Sequence, residues 1–247
     1  MQPLLKIENL VGGYSNKNIL HNISFHVDSK EIVGLIGLNG AGKSTTIKHI
    51  IGLMQEKSGS LKINGQTFKE NPTEYRKKLA YIPEQPILYD ELTLYEHLRL
   101  TAMAYDIEES VFEERLPALL KAFRMERHLH WFPVHFSKGM RQKVMIMCAF
   151  LIEPALYIVD EPFVGLDPLG IQSYLELMNE MRGKGAGVLM STHILATAER
   201  YCDRFIILHE GEIRAHGTLS QLQEQFQMPN ASLDDIYVQL TKEESDV

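Results

Sequence analysis

The sequence predicts an α/β fold: a largely parallel sheet with helices on its faces, an antiparallel β-subdomain near the N-terminus and an α-helical subdomain inserted in the middle. Three observations predict it. Continuously apolar runs alternate with amphipathic helical stretches, the pattern of strands covered on both faces. A single stretch, "ISFHVD" at 23–28, alternates instead, and residues 92–152 carry helical signals throughout.

The bulk numbers bound the possibilities. At 247 residues and 45% hydrophobic, the chain can bury a full core. Its formal charge is -7, from 25 basic and 32 acidic residues with no basic run, so no nucleic-acid partner is expected. Cys148 and Cys202 have no C-x-x-C spacing and read as buried, reduced thiols of a cytosolic protein. No signal-peptide pattern opens the chain. The longest apolar run, 144–152, is about half of the roughly 20 residues a membrane span needs, so the chain is not expected to cross a membrane by itself.

In chain order, "ISFHVD" puts Ile23, Phe25 and Val27 on one face and Ser24, His26 and Asp28 on the other, a half-buried antiparallel strand. "IVGLI" at 32–36 is apolar throughout and reads as a core strand. Gly37, Leu38, Asn39, Gly40, Ala41, Gly42, Lys43 and Ser44 then fit G-x-x-x-x-G-K-[ST], followed by Thr45. Glycines let successive backbone N–H groups point inward, and the helix that starts near Lys43 adds the positive end of its dipole, so a polyphosphate fits there. Lys43 would reach the β- and γ-phosphates, and the Ser44 hydroxyl would join a Mg²⁺ shell. Ile47, Ile50, Ile51 and Met54 form the apolar stripe of that helix. The alternative, a glycine-rich turn without a ligand, does not explain why the loop sits between an apolar strand and an amphipathic helix. A P-loop NTPase (RecA-like) core is therefore predicted.

Further on, Leu61 and Ile63 precede Asn64-Gly65, a dipeptide suited to a tight hairpin turn. The helical middle opens with Thr93 and Glu96 at capping-box spacing, and Pro117 is expected to bend or break the helix carrying Val111, Phe112 and Phe123. "LYIVD" at 156–160 is a second core strand, ending in Asp160-Glu161. Carboxylates at the C-terminal end of a buried parallel strand lie where such sheets bind ligands. Asp160 would hold Mg²⁺ through water, and Glu161 would orient or deprotonate an attacking water; the bland alternative is an acidic turn. A helical stripe follows at Ile171, Tyr174, Leu175 and Met178, then the core strand "GVLMS" at 187–191. His193 comes next, either structural or a neutral imidazole bridging the γ-phosphate and the water. "FIILH" at 205–209 is a further core strand, and the tail "TKEESDV" is expected to fray.

Read together with "FSKGM" at 136–140, these motifs resemble an ABC-type ATPase cassette from about residue 4 to 240. The resemblance implies an ATPase holding ATP and Mg²⁺. It implies one ABC ATPase domain over 1–240, with the nucleotide core and β-subdomain at 1–88 and 153–220, a helical signature subdomain at 89–152, and a C-terminal extension at 221–247. Tyr14 matches the aromatic residue that stacks on adenine, its alternative being packing in the turn at Gly12-Gly13. Ser137 and Gly139 match the signature residues that bind the γ-phosphate of ATP held by the opposite subunit, and Asp167 matches the acid that crosses the dimer interface. The family's Leu-Ser-Gly-Gly-Gln reads Phe-Ser-Lys-Gly-Met here, which leaves Lys138 either near the phosphates or in solvent. Glu84, not Gln85, falls in register with the family's metal- and water-contacting glutamine, and the sequence leaves open which of the two faces the site. Gly165 stands where alanine is commoner, a change expected to loosen its loop.

The resemblance further implies a homodimer with two composite sites and a separately encoded polytopic membrane permease. The chain would sit at the inner face of the cell membrane and power an exporter-type transporter. Tyr89, Leu92 and Tyr95 are expected near a groove for a short helix of the permease, their alternative being packing inside the helical insert. The competing reading is a soluble ATPase of DNA, ribosome or iron-sulfur assembly; the long coiled-coil inserts, cysteine sets and basic extensions usual there are missing from this sequence.

Overall fold

The computed structural model describes residues 2–242. The chain runs through β1 (Leu5–Gly12), β2 (Leu20–Val27), β3 (Ile32–Ile36), α1 (Lys43–Ile50), β4 (Ser58–Ile63), α2 (Pro72–Lys77) and β5 (Leu79–Ile82). The helical middle follows as α3 (Leu94–Ala104), α4 (Glu109–Phe123), two short 3₁₀ turns and α5 (Lys138–Ile152). The chain then returns to the core as β6 (Leu156–Asp160), α6 (Pro168–Gly183), β7 (Gly187–Thr192), α7 (Leu195–Tyr201), β8 (Arg204–His209) and β9 (Glu212–Gly217), and ends in α8 (Leu219–Gln225) and α9 (Leu233–Lys242).

Two sheets result. β2-β1-β4 is a three-stranded antiparallel subdomain, and β5-β6-β7-β3-β8-β9 is the main sheet, parallel except for the β8-β9 pair. The apolar runs account for the difference: every residue of β3, β6 and β7 is buried, as strands covered on both faces require. In β2, by contrast, Ile23, Phe25 and Val27 are buried while their neighbours are exposed. Asn64 and Gly65 take φ of 48° and 76°, and Ile63 and Gln66 exchange backbone hydrogen bonds of 2.9 and 3.0 Å across that turn. It is the tight turn the dipeptide calls for.

The helical middle packs on the main sheet through a core that includes Phe112, Phe123, Val144, Met147 and Phe150 on its side and Tyr157 and Val159 of β6 on the other. Thr93 and Glu96 form the reciprocal capping box at the start of α3. A helix break at Pro117 is not what the chain does: α4 is continuous from Glu109 to Phe123 with Pro117 inside it. The backbone bond that proline removes belongs to Glu113, which is exposed and can give its carbonyl to water. Phe112, Leu116, Leu119, Leu120 and Phe123, buried on both sides of the proline, hold the helix together.

Three other expectations change. The stripe of α1 stops at Ile50, and the N–H groups of Leu53 and Met54 turn back to the Lys48 carbonyl at 2.9 and 3.0 Å. Both cysteines are free, yet half-buried rather than fully buried. In the expected frayed tail, Thr241 and Lys242 complete α9, while 243–247 lie outside the described residues. No helix among the described residues is long and apolar enough to cross a membrane.

Candidate active site

Strand order puts the sequence motifs side by side. β6, β7 and β3 are neighbours, with Asp160 paired to Ser191 and Ile36 paired to Thr192 at their C-terminal ends. Consequently the glycine-rich loop after β3, the paired acids at the end of β6 and His193 after β7 emerge along one edge of the sheet.

At the loop, Gly42 caps α1 with φ 110°, a conformation that costs an L-residue with a Cβ. No side chain caps this helix and its first turn carries no acid, so the backbone N–H groups there remain available to an anion. The buried Lys43 folds back over the loop, its Nζ donating to the carbonyls of Gly37 at 2.6 Å and Leu38 at 3.2 Å. Burial lowers its pKa against the opposing pull of Glu161, Asp160 and Glu84. Those three acids therefore share one electrostatic environment with the lysine.

A depression of about 250 Å³ is lined by Tyr14, Ile19, Asn39, Gly40, Gly42, Lys43, Ser44 and Thr45. Tyr14 is 50% exposed, so its ring is not consumed by packing in the turn at Gly12-Gly13. The Lys48 Nζ donates to its hydroxyl at 2.8 Å, and this bond is the leading cause of a lowered Tyr14 pKa. Lys48 carried no functional signal in the sequence, because a lysine one turn into a helix is ordinary, and it is half-buried here.

Asp160 is buried, and burial, reinforced by the charges of Glu161 and Glu84, raises its carboxyl pKa; the Ser191 hydroxyl and Lys43 pull it back. Glu161 adopts φ 47° at the strand end, which turns its side chain toward β7. There its Oε2 accepts from the Thr192 hydroxyl at 2.9 Å, and its Oε1 accepts from the His193 backbone N–H at 2.8 Å. His193 Nδ1 lies 2.5 Å from the same oxygen. With Glu161 ionised, Nδ1 is the donor, which leaves Nε2 of the neutral ring as an acceptor. Thr192 is a partner that sequence reasoning missed; its only signal was its place beside His193.

Glu84 and Gln85 are both exposed, and it is Glu84 whose charge acts on Lys43 and Asp160. The segment is tied to the helical middle by the buried Gln142, whose Nε2 donates to the Pro83 carbonyl at 3.0 Å.

The signature residues lie elsewhere. Ser137 caps α5, its hydroxyl accepting from the Met140 N–H at 3.2 Å, and neither Ser137 nor Gly139 lines the depression around Lys43. Asp167 caps α6 through the Gly170 N–H at 3.2 Å and pairs with Lys143 at 3.1 Å, which holds its carboxyl below the usual carboxylate range. Gly165 takes φ 84°, and a Cβ on Gly139 would come within 2.5 Å of its carbonyl oxygen. The Lys138 stem runs beside Gly165, its carbons 3.6–3.8 Å from where a Cβ there would sit. Gly165 thus holds a left-handed turn packed against the signature, a conformation that an alanine would strain.

A P-loop NTPase core with an antiparallel β-subdomain, paired acids beside the loop and a signature on an inserted helical layer defines a nucleotide-driven ATPase of transport type. The chain belongs to the ABC transporter family, whose model matches residues 20–164, and it is an ATP-binding subunit with ATPase activity. It is 66% identical over 242 residues to the ABC-type transporter ATP-binding protein EcsA of Bacillus subtilis, covering 98% of both chains. It is 31% identical to the lipopolysaccharide export system ATP-binding protein LptB of Haemophilus influenzae, over 89% of this chain and 92% of that protein. A solved structure of an ATP-binding subunit of an ABC transporter superposes with a TM-score of 0.95 at 62% identity, covering 96% of this chain and 99% of that one.

Proposed function

We propose that this chain powers an exporter-type membrane transporter by closing as a homodimer around two ATP molecules, docked on a separately encoded polytopic permease at the inner face of the cell membrane. The observation that carries the dimer is the placement within one chain: Lys43 feels the charges of Asp160 and Glu161, while Ser137 sits exposed at the start of α5 in the helical middle, its hydroxyl bonded to the Met140 N–H of its own helix. Two copies related by a twofold axis would place each Ser137 and Gly139 on the partner's loop. The outward direction is supported by the likeness to a lipopolysaccharide export subunit.

In this reading Tyr14 stacks on adenine, and residues 37–45 cradle the phosphates. The oxygen donors present fit Mg²⁺: the exposed Ser44, the buried Asp160 whose charged form a cation would favour, and Glu84 nearby. An ion of this kind takes most of its ligands from water and phosphate, so few protein oxygens are needed. When bound, Mg²⁺ neutralises charge on the phosphoryl oxygens.

Glu161 is the base. A carboxylate has about four lone-pair sites, and Thr192 and His193 occupy three of them. The remaining site accepts the proton of the attacking water, whose oxygen bonds to the γ-phosphorus as ADP leaves. His193 Nε2 faces away from Glu161 and positions the water or the phosphate. Asp167, already capping its own helix, is the acid that would meet the partner subunit.

The permease helix is assigned to a cleft of about 350 Å³ between the core and the helical middle, lined by Leu53, Arg76, Tyr81, Thr101, Tyr105 and Met145 among others. Leu53 at its rim is 70% exposed, and Met103, two residues along α3 from Thr101, is 68% exposed. Tyr89 is exposed as well, whereas Tyr95 packs edge-on against Phe112 inside the helical layer.

The test is to tag the chain, solubilise membranes of the source cell in mild detergent and identify what co-purifies. A polytopic protein at near-equal stoichiometry is expected. Recovery with ribosomes, DNA or iron-sulfur assembly factors instead would overturn the transport reading and leave the ATPase chemistry in place.

A further inference from the structure

The C-terminal helix touches the phosphate loop directly. The backbone N–H of Leu38 donates to the hydroxyl of Tyr237, on α9, at 3.1 Å, across 199 residues of sequence. That N–H belongs to the same peptide unit as the Gly37 carbonyl, and the Gly37 carbonyl is the closer of the two acceptors of Lys43 Nζ, at 2.6 Å. One amide plane is thus held from both sides: the tyrosine hydroxyl on its N–H, the phosphate-facing lysine on its oxygen.

Hydrogen bonds that share an amide polarise one another, so withdrawing one weakens and frees the other. The peptide unit is also the first of the loop, and its orientation fixes where the following N–H groups point. Tyr237 is only 5% exposed and packs in a cluster with Ala198, Phe205, Ile207 and Leu233, so its hydroxyl is aimed at Leu38 by a fixed ring. The helix that carries it is anchored at its start: Ser232 and Asp235 form a reciprocal cap, and the Leu233 N–H donates to the Glu199 carboxylate of α7 at 2.6 Å. α7 follows directly on His193. α9 is therefore bonded to the phosphate loop through Tyr237 and to α7, the helix after His193, through Leu233.

We infer that Tyr237 is a positioning residue that couples α9 to the nucleotide site, setting the orientation of the Gly37–Leu38 amide and through it the affinity for ATP. The coupling is reciprocal: whatever displaces α9 weakens ATP, and ATP tightens α9. The inference rests on the phosphate-loop reading above.

Tyr237→Phe keeps the packed ring and removes only the hydroxyl. Loss of one such bond is expected to raise the ATP dissociation constant and the KM about 3- to 10-fold, with kcat within about twofold. A merely structural tyrosine would leave KM unchanged in the phenylalanine variant, and that result overturns the coupling. Hydrogen exchange on the native protein gives a second arm that needs no variant to fold. Addition of ATP should slow exchange at the amides of Leu233–Lys242, and in Tyr237→Phe that slowing should be lost; an α9 indifferent to ATP in the native protein also overturns it. Lys43→Met separates the two readings. If it abolishes ATP binding while Tyr237→Phe does nothing, the coupling alone fails; if it leaves ATP binding intact, the loop reading fails.

Discussion

At Glu161 a single backbone angle organises the chemistry. The positive φ at the end of β6 sends the carboxylate across to β7, where three donors fix it against Thr192 and His193. Glu161→Gln retains the volume and exchanges one oxygen for an amide that cannot accept a proton. It should keep ATP binding and lose about 10²- to 10⁴-fold in kcat, measured by phosphate release beside nucleotide affinity. Unchanged turnover would remove Glu161 from the role of base. Sequence made the loop, the acids and His193 legible because their spacing after apolar strands is local information. Partners fixed only by folding stayed hidden: Thr192 reads as one more residue of a buried strand, and nothing in the C-terminal segment marks Tyr237 as touching Leu38. The Glu84 and Gln85 ambiguity is of the same kind: both are exposed, and of the two only Glu84 carries a charge, one that reaches Lys43 and Asp160.

Among elements, the strands missed in the sequence were hidden for different reasons. β1 is kinked at Asn9, with φ 50° and shifts of register against β2, so its alternation breaks midway. β5 has four residues, too few for a period, and in β9 only Ala215 and Gly217 are buried. Pro117 shows the reverse: a correct local rule overridden by tertiary packing on both of its flanks. The turn at Gly165 has a local rule that holds. Its φ of 84° is strained for alanine although a Cβ would meet nothing nearer than the Lys138 stem at 3.6 Å. Gly165→Ala should therefore cost about 1–2 kcal/mol, read from the urea midpoint, and an unchanged midpoint would mean the loop relaxes without penalty.

For the whole molecule, the central position of β3 matters most. It lies between β7 and β8, so the phosphate loop is fed from the middle of the main sheet, while the signature rides on a helical layer attached beyond β5 at its edge. That layer is tied to the site's own segment by the Gln142–Pro83 hydrogen bond as well as by the apolar core it shares with the sheet, so any motion of it in turnover would be felt at Pro83. Ser137→Arg puts a bulky cation at the exposed cap of α5, where the proposed dimer would bring the partner's phosphate loop. It should abolish ATP-induced dimers in a Glu161→Gln background by light scattering, and a persistent dimer would overturn the composite site. The two cysteines offer a way to watch such motion. Burial pushes the Cys148 thiol up to about 11 and the Cys202 thiol up to about 12. Near neutral pH, then, only a very small fraction of either cysteine is thiolate. A maleimide dye would find the native chain almost dark, so a cysteine introduced at the exposed Leu53 or Val134 could be labelled beside the natural pair, and interdomain distances followed during turnover without first stripping the protein of its own sulfur.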